Sequence, residues 1–173
     1  VHLAVAARVT GWLGLGIAEA GGMLGADMAI FTASRPDEIV DAYTSDWRQP
    51  QTDDCSNDWE LISSNVDTEG GFLMFETKRL LNTGDPQDRV IVNDSSTLVP
   101  PHRVIAAWGD SSELGYHGLN RARGAFRFFG FGDEQSTFDA AMDSPAEGPV
   151  EIRATAYTIL TLPLNPLLLS HTT

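Results

Sequence analysis

Apolar residues in this chain recur at every second position, and nowhere over a long stretch at the spacing of an amphipathic helix. Side chains alternate between the two faces of an extended strand, so this period selects strands. Residues 2–9 and 11–17 read as two strands joined tightly at Thr10-Gly11, and residues 28–32 as a short core strand. Residues 39–43 follow a turn at Arg35-Pro36-Asp37-Glu38, and residues 44–57 are a polar, acidic loop. Residues 59–66 and 71–79 form a predicted hairpin through Asp67-Thr68-Glu69-Gly70. Residues 103–109, the aromatic run 125–129 and residues 150–162 give three more strands, with no internal repeat. Many short strands separated by turn residues predict an all-β fold, an immunoglobulin-like antiparallel β-sandwich.

The 173 residues suffice for one domain with its own core. The predicted sandwich spans residues 1–132. Residues 133–149 read as an acidic linker or insertion, and 150–173 as a final strand with a connection toward a following domain. A net charge of −13 opposes electrostatic binding of nucleic acid or anionic lipid, and suits a secreted protein or a binder of hard cations. The single cysteine, Cys55, has no partner within the chain, so an extracellular setting points to one outside it. No apolar run reaches membrane-spanning length. The chain opens inside a strand-like run and stops at His171-Thr172-Thr173, as expected of a piece of a longer polypeptide.

The stretch from Gly11 to Met28 carries the strongest local signal. Gly14 and Gly16 alternate with apolar residues, which lets backbone or a flat ligand approach one face of the strand closely. Gly21, Gly22 and Gly25 surround Met23 on a loop that permits positive φ, and Asp27 enters the next strand.

Several segments in order resemble the DOMON domain. They are Gly11-Trp12-Leu13-Gly14-Leu15-Gly16, Gly22-Met23-Leu24-Gly25-Ala26-Asp27, Asp41-Ala42-Tyr43-Thr44-Ser45-Asp46 and Asn57-Asp58-Trp59-Glu60-Leu61. Phe75-Glu76-Thr77-Lys78-Arg79-Leu80, Arg103-Val104-Ile105-Ala106-Ala107-Trp108-Gly109 and Tyr116-His117-Gly118-Leu119-Asn120-Arg121 complete the set. The branch resembled most is the DOMON of copper type II, ascorbate-dependent monooxygenases, which are dopamine β-monooxygenase-like. Two features depart from it: glycine stands in Asn82-Thr83-Gly84-Asp85-Pro86 where relatives often carry cysteine, and the stretch 133–149 looks inserted.

The resemblance implies an extracytoplasmic β-sandwich and two sites. Haem-binding DOMON domains ligate haem b between a methionine in a Gly-Met-x-Gly loop and a late histidine, and Met23 and His117 match those positions. Trp12, Trp108, Phe126 and Phe128 would wall the macrocycle, while Arg121, with Arg123 and Arg127, would face its propionates. In the monooxygenase branch, the positions of Asp27 and Asp58, with the carbonyls of Met28 and Ala42, hold a metal ion. An all-oxygen set of this kind suits Ca²⁺ or Na⁺.

Other chemistries find little support. The four histidines, His2, His102, His117 and His171, are widely separated, so no copper centre is expected in this segment. There is no Gly-x-Ser-x-Gly elbow, and Cys55 lies beside Asp53 and Asp54, which disfavour a thiolate. Gly14-Leu15-Gly16 lacks the helix and third glycine of a phosphate loop. Asn93-Asp94-Ser95 is a glycosylation sequon. The expected function is therefore that of a non-catalytic DOMON module in a larger monooxygenase-like protein, binding haem b for electron transfer. The alternative is a ligand-binding or scaffolding domain held by a structural cation. Its expected partners are a neighbouring domain of the same chain, a redox partner, or a sugar or small aromatic ligand between Trp12 and Trp108.

Overall fold

A computed structural model describes residues 1–129 and the backbone of two further strands, Phe138–Ala140 and Val150–Ala154. Each period-2 run forms a strand. In chain order these are β1 (His2–Ala7), β2 (Trp12–Ala18), β3 (Ala26–Thr32), β4 (Val40–Tyr43) and β5 (Gln51–Thr52). Then follow β6 (Glu60–Asp67), β7 (Phe72–Lys78), β8 (His102–Gly109), β9 (Arg121–Phe126), β10 (Phe138–Ala140) and β11 (Val150–Ala154). They build two antiparallel sheets, one of order β11-β1-β7-β6 and a larger one of order β10-β9-β8-β2-β3-β4-β5. The fold is the all-β sandwich expected.

The tight connection at Thr10-Gly11 is no hairpin. β1 and β2 lie in different sheets, so the chain crosses the sandwich there, and the Thr10 amide is held by the Asp110 carboxylate at 3.2 Å. The hairpin of β6 and β7 forms as predicted, with a bulge between Leu61 and Ser63 on the sheet edge that leaves Ile62 exposed. Bulges of this kind blunt an open edge against further pairing.

The aromatic run 125–129 is not a strand as a whole. Pairing with β8 sets β9 at Arg121–Phe126, where Ala122 and Phe126 point inward and the arginines outward. Phe128 lies beyond the strand, its amide donating to the Asp94 carboxylate at 3.1 Å. A two-residue strand, β5, forms within the expected loop 44–57. Within the expected linker 133–149, Phe138–Ala140 pairs with β9; the remainder of that stretch, and the expected continuation of the last strand beyond Ala154, lie outside the described residues.

The core fills the space between the sheets. Leu3 and Val5 of β1 and Leu73 and Phe75 of β7 meet Leu13 and Leu15 of β2, Phe31 of β3, and Val104 and Trp108 of β8. Phe31 and Phe75, one from each sheet, are fully buried with ring centroids 5.6 Å apart. Each such side chain contributes roughly 1.5–3 kcal/mol by leaving water.

Candidate functional site

The two faces of the larger sheet differ in chemistry. One is the sandwich core. On the other, Ala18, Ala26, Met28, Ile30 and Ala42 form a second buried cluster, against which Met23, Val40, Ile105 and Leu114 pack. Gly14 and Gly16 share this face with Ala18. A Cβ at Gly16 would lie 2.9 Å from Ile105 Cγ1 and 3.1 Å from Met28 Cγ. The close approach expected there of backbone or a flat ligand is made instead by two of the protein's own side chains, one from each strand beside β2.

Met23 is held from behind. Its carbonyl accepts from the Ala26 amide at 2.9 Å and from the Thr44 hydroxyl, and the Gly25 amide donates to the Thr44 carbonyl at 2.9 Å. Gly25 takes a φ of 68°, which an L-residue adopts only under strain. The loop therefore presents the Met23 side chain, half-buried, to the outer cluster.

His117 lies in the segment between β8 and β9. Its Nδ1 is 2.9 Å from the Gly118 carbonyl, which can only accept, so Nδ1 carries the hydrogen. In the neutral ring this leaves the Nε2 lone pair available to a metal, the arrangement that orients ligating histidines. The Asn120 amide donates to the His117 carbonyl, and Asn120 in turn accepts from the Trp108 amide, which fixes the segment to β8. Leu114 of this segment packs against the cluster that Met23 joins; the Met23 turn follows Ala18 at one end of β2, while the His117 segment follows Gly109, the register partner of Trp12 at the other end.

Trp12 and Trp108 do not share a pocket. In the β2–β8 register Trp12 is opposite Gly109, and Trp108 is opposite Leu13. Trp108 belongs to the inner core with Phe126 and Phe128, whereas the Trp12 indole lies over Gly14 and Gly109 on the outer side. Arg121 and Arg123 alternate with the inward Ala122 and stand exposed on the outer face. Arg127 is already engaged by the carbonyls of Asp94, Ser96 and Val99. An open cleft of about 360 Å³ lies instead at one end of the sandwich, lined by Leu24, Tyr43, Ser45, Pro86, Gln87 and Arg89 among others.

Asp27 anchors a buried electrostatic centre beside that cleft. Its Oδ1 accepts from Trp59 Nε1 at 3.0 Å, and its Oδ2 from the Arg79 guanidinium and from the Arg89 amide at 2.8 Å. The Arg79 side chain is fully buried. It also donates to the carbonyls of Arg89 and Leu80, lies 3.8 Å from the Asp88 carboxylate, and stands over the Trp59 ring at 5.0 Å. Carboxylate oxygens of Asp27, Asp41 and Asp88 fall within 4.8 Å of one another. Three acids thus share a centre with one guanidinium, which pairs with Asp27 and Asp88, and buried Asp88 Oδ2 has no hydrogen-bond partner among the described residues.

Burial pushes the Asp41 carboxyl up to about 7, against the lowering effect of the Asp58 amide and with help from Asp88, Asp27 and Asp53. Burial likewise raises Asp88. The position beside Asp27 that the sequence assigns to Asp58 is taken by Asp41, whose Oδ2 accepts from the Asp58 amide at 2.7 Å. The Asp58 carboxylate accepts from the Ser56 hydroxyl instead. Met28 and Ala42 are direct partners in the β3–β4 register. Cys55 is exposed and clusters with Asp53 and Asp85.

Sequence reasoning passed over Arg79, Asp41 and Asp88 as site residues. A signal for the first two existed. Leu73, Phe75 and Thr77 point inward along β7, and the same period puts Arg79 inward just past its end; Asp41 is the register partner of inward Ala29. A charge in an inward register requires a buried partner.

No curated protein matches this chain. The family model of the DOMON domain matches residues 1–101, more than half of the sequence and the part that carries Met23, Asp27, Asp41, Arg79 and Asp88. With its two antiparallel sheets and no helix among the described residues, the chain belongs to the DOMON domain family.

Proposed function

We propose that this is an extracytoplasmic, non-catalytic module that binds haem b on the outer face of the larger sheet, with Met23 and His117 as axial ligands. The observation that carries the proposal is the common floor. Two loops from different parts of the chain, one bearing Met23 and one bearing His117 and Leu114, lean on a single cluster of small and apolar side chains. The donors are of the right chemistry for the group: a thioether on a pinned loop, an imidazole whose Nδ1 is engaged by a carbonyl, and exposed Arg121 and Arg123 on the outer face for two carboxylates. Haem ligated by methionine and histidine has no open position and serves electron transfer rather than oxygen activation. The larger protein would be dopamine β-monooxygenase-like, with its copper chemistry outside this segment.

Haem titration of the purified protein tests the proposal. A Soret band that shifts on dithionite reduction, and is lost in Met23→Ala and His117→Ala, is the expected result. A folded protein that stays colourless on titration, or variants that bind as the wild type does, would overturn it.

The orphaned Asp88 Oδ2 favours a second reading, a structural cation at the acidic centre. Asp27, Asp41 and Asp88 offer carboxylate oxygens alone, which suits Ca²⁺ or Na⁺, while the Asp58 carboxylate is turned to Ser56. An ion at 100 times its dissociation constant adds about 2.7 kcal/mol to the folded state. Thermal melts with chelator, with Ca²⁺ and with Na⁺ decide; a midpoint unmoved in all three rules the ion out.

A further inference from the structure

We infer that Asn93 carries an N-linked glycan that covers an apolar ridge beside it; the inference rests on the extracytoplasmic reading above. Asn93-Asp94-Ser95 is the only Asn-x-Ser/Thr sequon in the sequence. The structure adds three observations to that motif.

First, the two residues that the modification needs are exposed, and the one between them is not. Asn93 and Ser95 face solvent, while Asp94 is completely buried. The Asp94 carboxylate accepts from the amides of Phe128 and Phe129 at 3.1 and 2.9 Å, and its carbonyl accepts from Arg127 at 2.6 Å. The sequon is thus anchored by its middle residue and displays its outer two. Second, Asn93 Oδ1 accepts from the Ser95 amide at 3.0 Å, so the side chain is already turned back over the sequon with its Nδ2 outward in an Asx turn. Third, large apolar side chains stand exposed on either side of it in the chain. Val90, Val92 and Leu98 are 52%, 46% and 92% exposed. Grouped apolar side chains on a soluble domain gain from a cover, and a glycan rooted at Asn93 would start one residue from Val92, three from Val90 and five from Leu98 in the chain.

The covalent step needs a lipid-diphosphate-linked oligosaccharide. The Asn93 Nδ2 forms a bond to C1 of the first N-acetylglucosamine as the C1–O bond to the lipid diphosphate breaks. Nδ2 gives up one proton, and the lipid diphosphate leaves.

The test secretes the chain from eukaryotic cells behind a heterologous leader, which fixes the compartment whatever the native address. Expected is a single mobility step removed by peptide-N-glycosidase F and absent from Asn93→Gln and Ser95→Ala, with conversion of Asn93 to Asp in the released peptide. Enzymatic deglycosylation of the folded protein should also delay its elution on a hydrophobic interaction column. Secreted, folded protein without the mobility step overturns the glycan. An unchanged elution after deglycosylation overturns the covering role. Neither result bears on haem or on the native compartment.

Discussion

Replacement of Arg79 by Met removes the buried guanidinium from the Asp27–Asp41–Asp88 centre while keeping a long side chain in its place. Five interactions go with it: the ion pairs to Asp27 and Asp88, the hydrogen bonds to the carbonyls of Arg89 and Leu80, and the stacking on Trp59. The Asp27 carboxylate keeps Trp59 Nε1 and the Arg89 amide as donors, but loses its counter-charge inside the protein. Leaving one member of a buried pair alone costs about 3–5 kcal/mol. That is a large part of the 5–15 kcal/mol that holds a domain folded. At about 2–4 °C per kcal/mol for a domain of this size, Tm should fall by roughly 6–20 °C. The informative assay is a double-mutant cycle in urea at pH 7, with Arg79→Met, Asp27→Asn and the pair. If the two groups compensate each other, the double variant loses at least about 2 kcal/mol less than the sum of the singles. Additivity within about 0.5 kcal/mol, or a single Arg79→Met cost below about 1 kcal/mol, would show that the guanidinium does not neutralise this centre.

Stability should fall as pH rises from 4 to 7. The Asp41 carboxyl sits at about 7 in the folded chain against 3.8 unfolded, so its contribution is complete below 3.8 and lost as pH passes through 7. Three pH units at about 1.4 kcal/mol each set a ceiling near 4 kcal/mol, which charge screening lowers to roughly 2. Urea midpoints across that range measure it. Asp41→Asn, which can still accept from the Asp58 amide, should flatten the profile, and a variant with an undiminished slope would assign the effect elsewhere. Gly16→Ala should cost about 1–3 kcal/mol by overpacking, since its Cβ would meet Ile105 and Met28. Ile105→Ala in the same chain should recover part of that loss, and no recovery would locate the strain outside this contact.

Much of the fold was legible because half-buried strands must alternate. β1 to β4 and β6 to β8 fall where the period put them. The errors came from reading propensity in place of pairing. Phe126, Phe128 and Phe129 suggest a strand by composition, yet the register with β8 ends β9 at Phe126, and Asp94 takes over the amides that follow. Trp12 and Trp108 looked like two walls of one pocket because both are large aromatics near the ends of their strands. An offset of one residue in the β2–β8 register sends them to opposite faces, and no inspection of the two strands separately reveals that offset. Asp27 was legible as a site residue. The side chains that surround it were not, because Arg79, Asp41 and Asp88 come from three other segments whose meeting point is a tertiary fact.

The acidic centre and the Met23 loop are mechanically one unit. Arg89 bridges them: its amide donates to Asp27 Oδ2 at 2.8 Å, and its Nε to the Gly25 carbonyl at 2.6 Å, two residues from Met23. Arg79 grips the Arg89 carbonyl from the other side, and the Arg79 carbonyl accepts from the amino terminus of β1 at 2.7 Å. A chain of polar contacts thus runs from the smaller sheet through a buried guanidinium to the glycine turn that presents the methionine. A loop with three glycines would otherwise sample many conformations and lose entropy on gripping a ligand. Pinning its base from inside the sandwich reduces that loss in advance. On this view the buried charges serve the outer face they never touch, by holding still the turn on which its methionine stands.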